Sequence, residues 1–235
     1  MNQQVLSKRL ASVGEYVLEN ARLADIGSDH AYLPVALVLQ GKINFAIAGE
    51  VVKGPFESAQ KQVAKNGLQK NIQVRLADGL AAVEKTDQIT AVTICGMGGS
   101  LIRDILAAGV QQEKLNGTER LILQPNIGEN ILRGWLKEHE YQIVAETILE
   151  ENHKTYEIIV AEKSATAVSY SPAEILLGPF LSQEKNPVFV KKWQRELSNR
   201  QRILKQLKAA TSATPEKIAQ FQAEIELIKT ALKNQ

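Results

Sequence analysis

Apolar positions along this chain follow two patterns. Up to about residue 160, short apolar runs alternate with stretches of helical period; in the last fifty or so residues, apolar side chains recur at heptad spacing. The runs Arg22 to Ile26, Ile43 to Glu50, Ile72 to Leu76, Ala91 to Cys95 and Leu121 to Leu123 read as buried strands. Each is short, and the first, third and fourth run into glycine-containing turns. Leu6, Leu10, Val13 and Val17 mark a leading amphipathic helix, with Lys8, Arg9 and Glu15 off its apolar stripe. Further helices are predicted over Ala31 to Gln40, Pro55 to Asn66, Leu101 to Ala108 and Ile131 to Glu138, two of them stopped by Gly41 and Asn66-Gly67. Strands around Gln142 to Leu149 and Thr155 to Ala161 follow one another directly. The alternation predicts an α/β domain around a parallel sheet, and the last two strands add an antiparallel member.

The tail changes period. After the turn-prone Tyr170-Ser171-Pro172 and Gly178-Pro179, Val190, Trp193, Leu197, Leu204 and Leu207 keep heptad spacing, interrupted at Arg200. Ile218, Phe221, Ile225, Ile228 and Leu232 repeat the pattern without a break. Thr214-Pro215 between them supplies an N-cap and a first-turn proline. The prediction is an antiparallel helical hairpin, a coiled coil, over residues 166–235, appended to a domain over residues 1–165.

Composition narrows the setting. With 235 residues, 44% of them hydrophobic, the chain can bury a full core. No run approaches the ~18 apolar residues of a spanning helix, and Met1 to Leu10 lacks the apolar core of a signal peptide. Cys95 is the only cysteine, which excludes an internal disulfide and a multi-cysteine zinc site and suits a reducing cytoplasm. The net charge of +2 conceals a split: residues 185–235 carry eleven Lys/Arg against four Glu, or +7, and the rest 17 against 22, or −5. An acidic body with a basic tail points to a polyanionic partner for the tail.

Candidate chemistry gathers at the strand ends. Leu23-Ala24-Asp25-Ile26-Gly27-Ser28-Asp29-His30 reads as a strand and a sharp acidic turn, with Pro34 in the first turn of the next helix if His30 or a neighbour is its N-cap. Ligands of open α/β sheets sit above such turns. Two carboxylates and a single glycine would repel a pyrophosphate and welcome a cation that also donates hydrogen bonds. Glu50 ends the second strand 25 residues after Asp25, where it can accept from both hydroxyls of a ribose. Ala77-Asp78-Gly79 is a second acidic turn. Gly96-Met97-Gly98-Gly99 after the fourth strand signals close backbone approach to something, and Gln124-Pro125-Asn126 places amides on a stiff tip of the fifth.

These motifs resemble a known family. Asp-Ile-Gly-Ser-Asp-His-Ala-Tyr-Leu-Pro at 25–34, Gly-Glu-Val at 49–51, Ala-Asp-Gly-Leu at 77–80, Ile-Cys-Gly-Met-Gly-Gly at 94–99 and Leu-Gln-Pro-Asn at 123–126 are similar to those of the bacterial tRNA (adenine-N1)-methyltransferases acting on adenine 22, called TrmK. The resemblance implies a Rossmann-like class I methyltransferase with a seven-stranded mixed sheet, binding S-adenosylmethionine, and a C-terminal helical hairpin. The cofactor-binding residues are then expected to be Asp25, Gly27, Ser28, Asp29, His30, Glu50, Asp78, Gly79, Gly96, Met97 and Gly98. Charge agrees with that ligand, since a sulfonium and an ammonium suit the acids and an adenine amine suits Asp78. A nicotinamide dinucleotide would set two phosphates against the same groups.

Methylation at N1 needs no prior base, only alignment and an extruded adenine, for which Gln124, Pro125, Asn126 and Tyr32 are the expected contacts. His30 has a plainer reading as a cap or packing residue, and Tyr32 as core. Residues 185–208 carry eight Lys/Arg against Glu196 alone, a basic rod suited to phosphates; Lys191, Lys192, Arg195 and Arg202, with Arg9, are the expected tRNA contacts. A monomer or weak dimer in the cytoplasm with no metal is expected. A ligand-sensing nucleic-acid-binding protein without turnover is the alternative from a different class.

Overall fold

The computed structural model describes residues 6–210 and 214–233. The chain forms two compact units, Met1–Thr147 with Tyr156–Val168 and Ile148–Thr155 with Ser169–Gln235. In the first, parallel strands β1 (Arg22–Ile26), β2 (Phe45–Glu50), β3 (Ile72–Leu76), β4 (Ala91–Gly98) and β5 (Arg120–Ile127) are joined by helices and turns. Helices α1 (Lys8–Tyr16), α2 (Tyr32–Leu39), α3 (Lys53–Lys65), α4 (Gly99–Gln111) and α5 (Glu129–Glu138) complete the α/β pattern. A long hairpin of β6 (Tyr141–Glu151) and β7 (Lys154–Lys163) closes the sheet, its turn belonging to the second unit.

The strand order is β3-β2-β1-β4-β5-β7-β6, seven strands with β7 antiparallel to β5. Its order reverses between β1 and β4, and the register sets Ile26 beside both Gly49 and Ile94, so the carboxyl ends of β1, β2 and β4 lie level at the switch point. Leu23, Ala46, Ile47, Ile94, Leu121, Ile122 and Leu123 are fully buried. Strands covered on both faces have no polar face to alternate with, which is why they read as unbroken apolar runs.

Two strands run further than their apolar cores. β4 continues through Gly96-Met97-Gly98 and β5 through Gln124-Pro125-Asn126, so these motifs lie within the strands rather than on turns beyond them. Proline is tolerated there for a local reason. β7 pairs with β5 only at Leu121, Ile122 and Leu123, and Pro125 stands opposite Met97 where the β4–β5 register slips.

The second unit holds α6 (Pro172–Leu177), α7 (Leu181–Glu184), α8 (Pro187–Ala209) and α9 (Pro215–Lys233), and α6 and α8 follow sharp start signals. Ser171 and Glu174 form a reciprocal capping box, and Asn186 Oδ1 accepts from the Val188 and Phe189 N–H groups at 3.1 and 3.0 Å. Ile148, Leu176, Leu177, Leu181, Phe189, Trp193 and Ile228 make the core. The heptad break at Arg200 is an ion pair across the hairpin: its Nε donates to Glu224 of α9 at 2.9 Å, and its Nη1 to Glu196 at 2.6 Å.

Candidate active site

The turn after β1 is built from below. Asp25 is buried, and its carboxylate accepts from Ser28 Oγ at 2.5 Å and Thr93 Oγ1 at 2.6 Å. Burial pushes its pKa up, against the two hydroxyl donors that hold it down. Asp25 therefore braces the turn rather than standing on its surface. Gly27 and Ser28 both donate to the Gly49 carbonyl, which locks the turn to the end of β2. Gly27, Asp29, His30 and Ala31 all have positive φ, at 68, 44, 66 and 56°. Three consecutive L-residues in that region cost about 1–2 kcal/mol each, strain of the kind that persists at functional sites. Ala31, not His30, is the N-cap of α2, and no side chain caps that end. A Cβ on Gly27 would lie 2.1 Å from Met97 Cε, so the methionine of β4 closes directly over the glycine of β1.

Glu50 is the group this turn is arranged around. It is 6% exposed, and its Oε1 has no hydrogen-bond partner among the described residues. Burial raises its pKa, opposed by the Asp29 backbone N–H and reinforced by the charges of Asp25 and Asp29. A buried carboxylate oxygen without a donor costs free energy unless a ligand supplies one. Asp29 itself is exposed, with His30 Nε2 3.6 Å from its Oδ1, and the His30 ring lies 5.4 Å from that of half-buried Tyr32.

Asp78 is exposed at the end of β3, beside a cleft of about 230 Å³ lined also by Gly79, Leu101, Asp104, Ile105 and Gln112. Cavities of about 480 and 430 Å³ open elsewhere, at the amino-terminal ends of β4 and β5, away from these acids.

The glycines from the end of β4 into α4 have separate reasons. Gly96 has φ 76°, a conformation that favours glycine. A Cβ on Gly99 would lie 2.2 Å from the Gly128 carbonyl oxygen, so its near neighbour is the chain itself. Gly98 meets nothing within 4 Å and leaves open space. Cys95 precedes them in β4, its thiol pKa raised by burial and by the charge of Asp25.

On β5, Gln124 is fully buried and Asn126 exposed. Gln124 Oε1 accepts from Arg9 Nη1 at 2.5 Å and from the Gly96 N–H at 3.1 Å; Asn126 Nδ2 donates to the Gly96 carbonyl at 2.7 Å. Arg9, expected as a surface phosphate contact, is half-buried and faces this site, its guanidinium 5.5 Å from the Tyr156 ring centroid. Sequence reasoning missed Arg9 and Thr93 as site-builders. Thr93 carried one signal, a polar residue inside an apolar run, whereas Arg9, next to Lys8 and off the apolar stripe, carried none.

The tail cations occupy varied surroundings. Lys191 pairs with Glu150 at 2.6 Å, Lys192 lies 5.3 Å from the Trp193 ring centroid, and Arg195 is 4.0 Å from Glu196. Arg202, Lys205 and Lys208 are exposed along α8.

Strand order, acids at the ends of β1 and β2, and one glycine where a dinucleotide fold needs three define a Rossmann-like class I methyltransferase. Residues 23–230 match the model of the family described as TrmK, tRNA (adenine(22)-N(1))-methyltransferase, and the chain belongs to that family. It is 48% identical over 238 residues to the tRNA (adenine(22)-N(1))-methyltransferase of Bacillus subtilis, with 99% of each covered. A Streptococcus pneumoniae structure in complex with S-adenosyl-L-methionine is 50% identical, covers 97% of this chain and 100% of that one, and superposes with a TM-score of 0.87. The structure of M. capricolum TrmK with S-adenosyl-homocysteine is 30% identical, with 97% and 98% coverage and a TM-score of 0.82.

Proposed function

We propose that the carboxyl ends of β1, β2 and β4 hold S-adenosylmethionine and the end of β5 holds adenine, the chain methylating N1 of adenine 22 in tRNA. The observation that carries this is the unpartnered, buried Oε1 of Glu50. An acceptor kept dry at that point suits ribose hydroxyls, the exposed Asp29 suits an ammonium, and Asp78 beside its cleft suits an adenine amine. A dinucleotide would bring phosphates to the same carboxylates.

Bound S-adenosylmethionine supplies an electrophilic sulfonium methyl, which adenine N1 accepts with its own lone pair. This chain's residues therefore need only align and stabilise. Asp25, Asp29 and Glu50 supply negative charge beside a cationic cofactor, and Met97 packs directly over Gly27. Ser28 and Thr93 hold Asp25, while His30 and the glycines Gly79, Gly96 and Gly98 shape the walls. Pro125 stiffens β5 behind Asn126, and Tyr32 offers a ring to the extruded base. With S-adenosylmethionine saturating, Asn126→Ala is expected to lower the single-turnover rate about tenfold or more and leave cofactor affinity unchanged. A wild-type rate would return Asn126 to a structural role.

The α8 cations meet tRNA phosphates, in a cytoplasmic enzyme whose acidic body repels a polyanion. Lys191 is already paired with Glu150, an exposed pair that contributes little and exchanges readily. Arg195, Arg202, Lys205 and Lys208 are exposed. Changing these four to Gln should reduce the slope of log K against log salt by about 0.7–0.9 for every phosphate that is no longer neutralised. Filter binding at several salt concentrations checks this, and an unaltered slope places the tRNA elsewhere.

A further inference from the structure

Two side chains and the backbone of Gly96 form a hydrogen-bond circuit at the end of β5. The Gly96 N–H donates to Gln124 Oε1 at 3.1 Å, Gln124 Nε2 donates to Asn126 Oδ1 at 3.3 Å, and Asn126 Nδ2 donates back to the Gly96 carbonyl at 2.7 Å. Arg9 enters from α1, its Nη1 donating to the same Gln124 oxygen at 2.5 Å.

This arrangement leaves neither amide free to flip. Arg9 has donors only, and the Gly96 N–H is a donor, so the Gln124 group facing both must be the oxygen. Its Nε2 then faces the Pro125 carbonyl, 2.8 Å away, and Asn126. Asn126 must turn its oxygen toward that nitrogen and its own nitrogen toward the Gly96 carbonyl. An asparagine amide has two N–H groups and two oxygen lone pairs. The circuit uses one of each, leaving one donor and one acceptor on an exposed side chain.

We propose that this remaining pair reads the N7 and N6 edge of the target adenine, with Arg9 as the positioning residue that fixes the orientation of both amides. The inference rests on the adenine docking at β5. Adenine offers an N7 acceptor and an N6 amine donor on that edge, the complement of one amide, whereas guanine offers two acceptors. Recognition there leaves N1, on the opposite Watson–Crick edge, unengaged and open to the methyl donor. It also explains why an arginine is half-buried in α1 at a site that needs no cation for its chemistry.

The test uses full-length protein and tRNA assembled with a single 7-deazaadenosine in place of adenine 22, measured in single turnover at saturating S-adenosylmethionine. Removing N7 also changes the basicity of N1, so the quantity compared between variants is the rate ratio of the two tRNAs. Relative to wild type, that ratio should shift about tenfold in Asn126→Ala, in which no amide remains to sense N7. Arg9→Ala should shift it similarly, and Arg9→Lys, which restores a donor to Gln124 Oε1, should recover much of the wild-type ratio. Cofactor affinity by calorimetry and the thermal midpoint should hold in all variants.

An unchanged ratio in Asn126→Ala overturns the edge assignment. Wild-type discrimination in Arg9→Ala, with only the KM for tRNA raised, makes Arg9 a phosphate contact instead. These results are distinct from failure of the base placement itself, which would appear as a wild-type rate for Asn126→Ala on unmodified tRNA.

Discussion

Glu50→Ala is expected to weaken S-adenosylmethionine binding roughly ten- to hundredfold, the effect of about 1–3 kcal/mol for losing a desolvated hydrogen-bonding partner. The carboxylate is 6% exposed, and its Oε1 has no donor among the described residues, while the Asp29 backbone N–H only partly offsets the upward push of burial on its pKa. Ligand hydroxyls would satisfy what the fold leaves open. Glu50→Gln, which keeps the shape but exchanges one acceptor for a donor, should fall between. Calorimetry checks both, and wild-type affinity in Glu50→Ala would remove the ribose from this position.

A pH effect follows from the same group. Its pKa is raised in the folded protein, so a protonated Glu50 favours folding: its contribution to stability is fully present below the ordinary carboxylate value and is lost as pH rises through the raised one. Hydroxyl donors prefer the ionised form, so cofactor affinity should run the opposite way and weaken as pH falls through that raised value.

The largest stability effect is expected away from the site. Arg133 of α5 is fully buried between two buried carboxylates, its Nε donating to Glu146 at 2.8 Å and its Nη2 to Glu157 at 2.5 Å. Removing the cation leaves two like charges together in a dry interior. Arg133→Met should therefore cost about 3–5 kcal/mol, the usual penalty for breaking a buried ion pair from one side. For a unit of this size that lowers the thermal midpoint by about 10 °C or more. The triple change Arg133→Met, Glu146→Leu, Glu157→Leu should recover most of the loss, because apolar groups of similar volume replace such clusters at little net cost. Thermal unfolding followed by circular dichroism reads both. Near-wild-type stability in the single variant would mean that water or rearranged partners reach these carboxylates.

This cluster also shows where the sequence is opaque. β1 and β3 were legible to the residue, for different reasons. β1 is an apolar run cut by Gly27, whereas β3 is the edge strand of the sheet, in which Ile72, Val74 and Leu76 alternate with Gln73 and Arg75. Glu50 was legible because strand periodicity places it at the end of β2, beside the first turn. The extra length of β4 and β5 was not legible. Glycine and proline normally end strands, and only the slipped β4–β5 pairing and the short β5–β7 pairing let Met97 and Pro125 remain in the sheet. Asp25 advertised itself as a ligand-facing acid, since nothing in one sequence reveals that Ser28 and Thr93 converge on it. Arg9 read as a surface cation, and nothing marked Arg133, Glu146 and Glu157 as a buried cluster, because their partners lie 13 to 115 residues away. Arg200 was visible as a break in a heptad stripe, a signal that a charged residue at a seam position must have a partner.

Methyl transfer to N1 of adenine 22 is measured most directly by nucleoside analysis of tRNA after reaction. Unmodified tRNA transcript, purified protein and methyl-labelled S-adenosylmethionine should yield label in a single nucleoside, N1-methyladenosine, and none from a transcript carrying guanosine at position 22. Label in another nucleoside, label that survives the guanosine replacement, or no label with active cofactor binding would contradict the account.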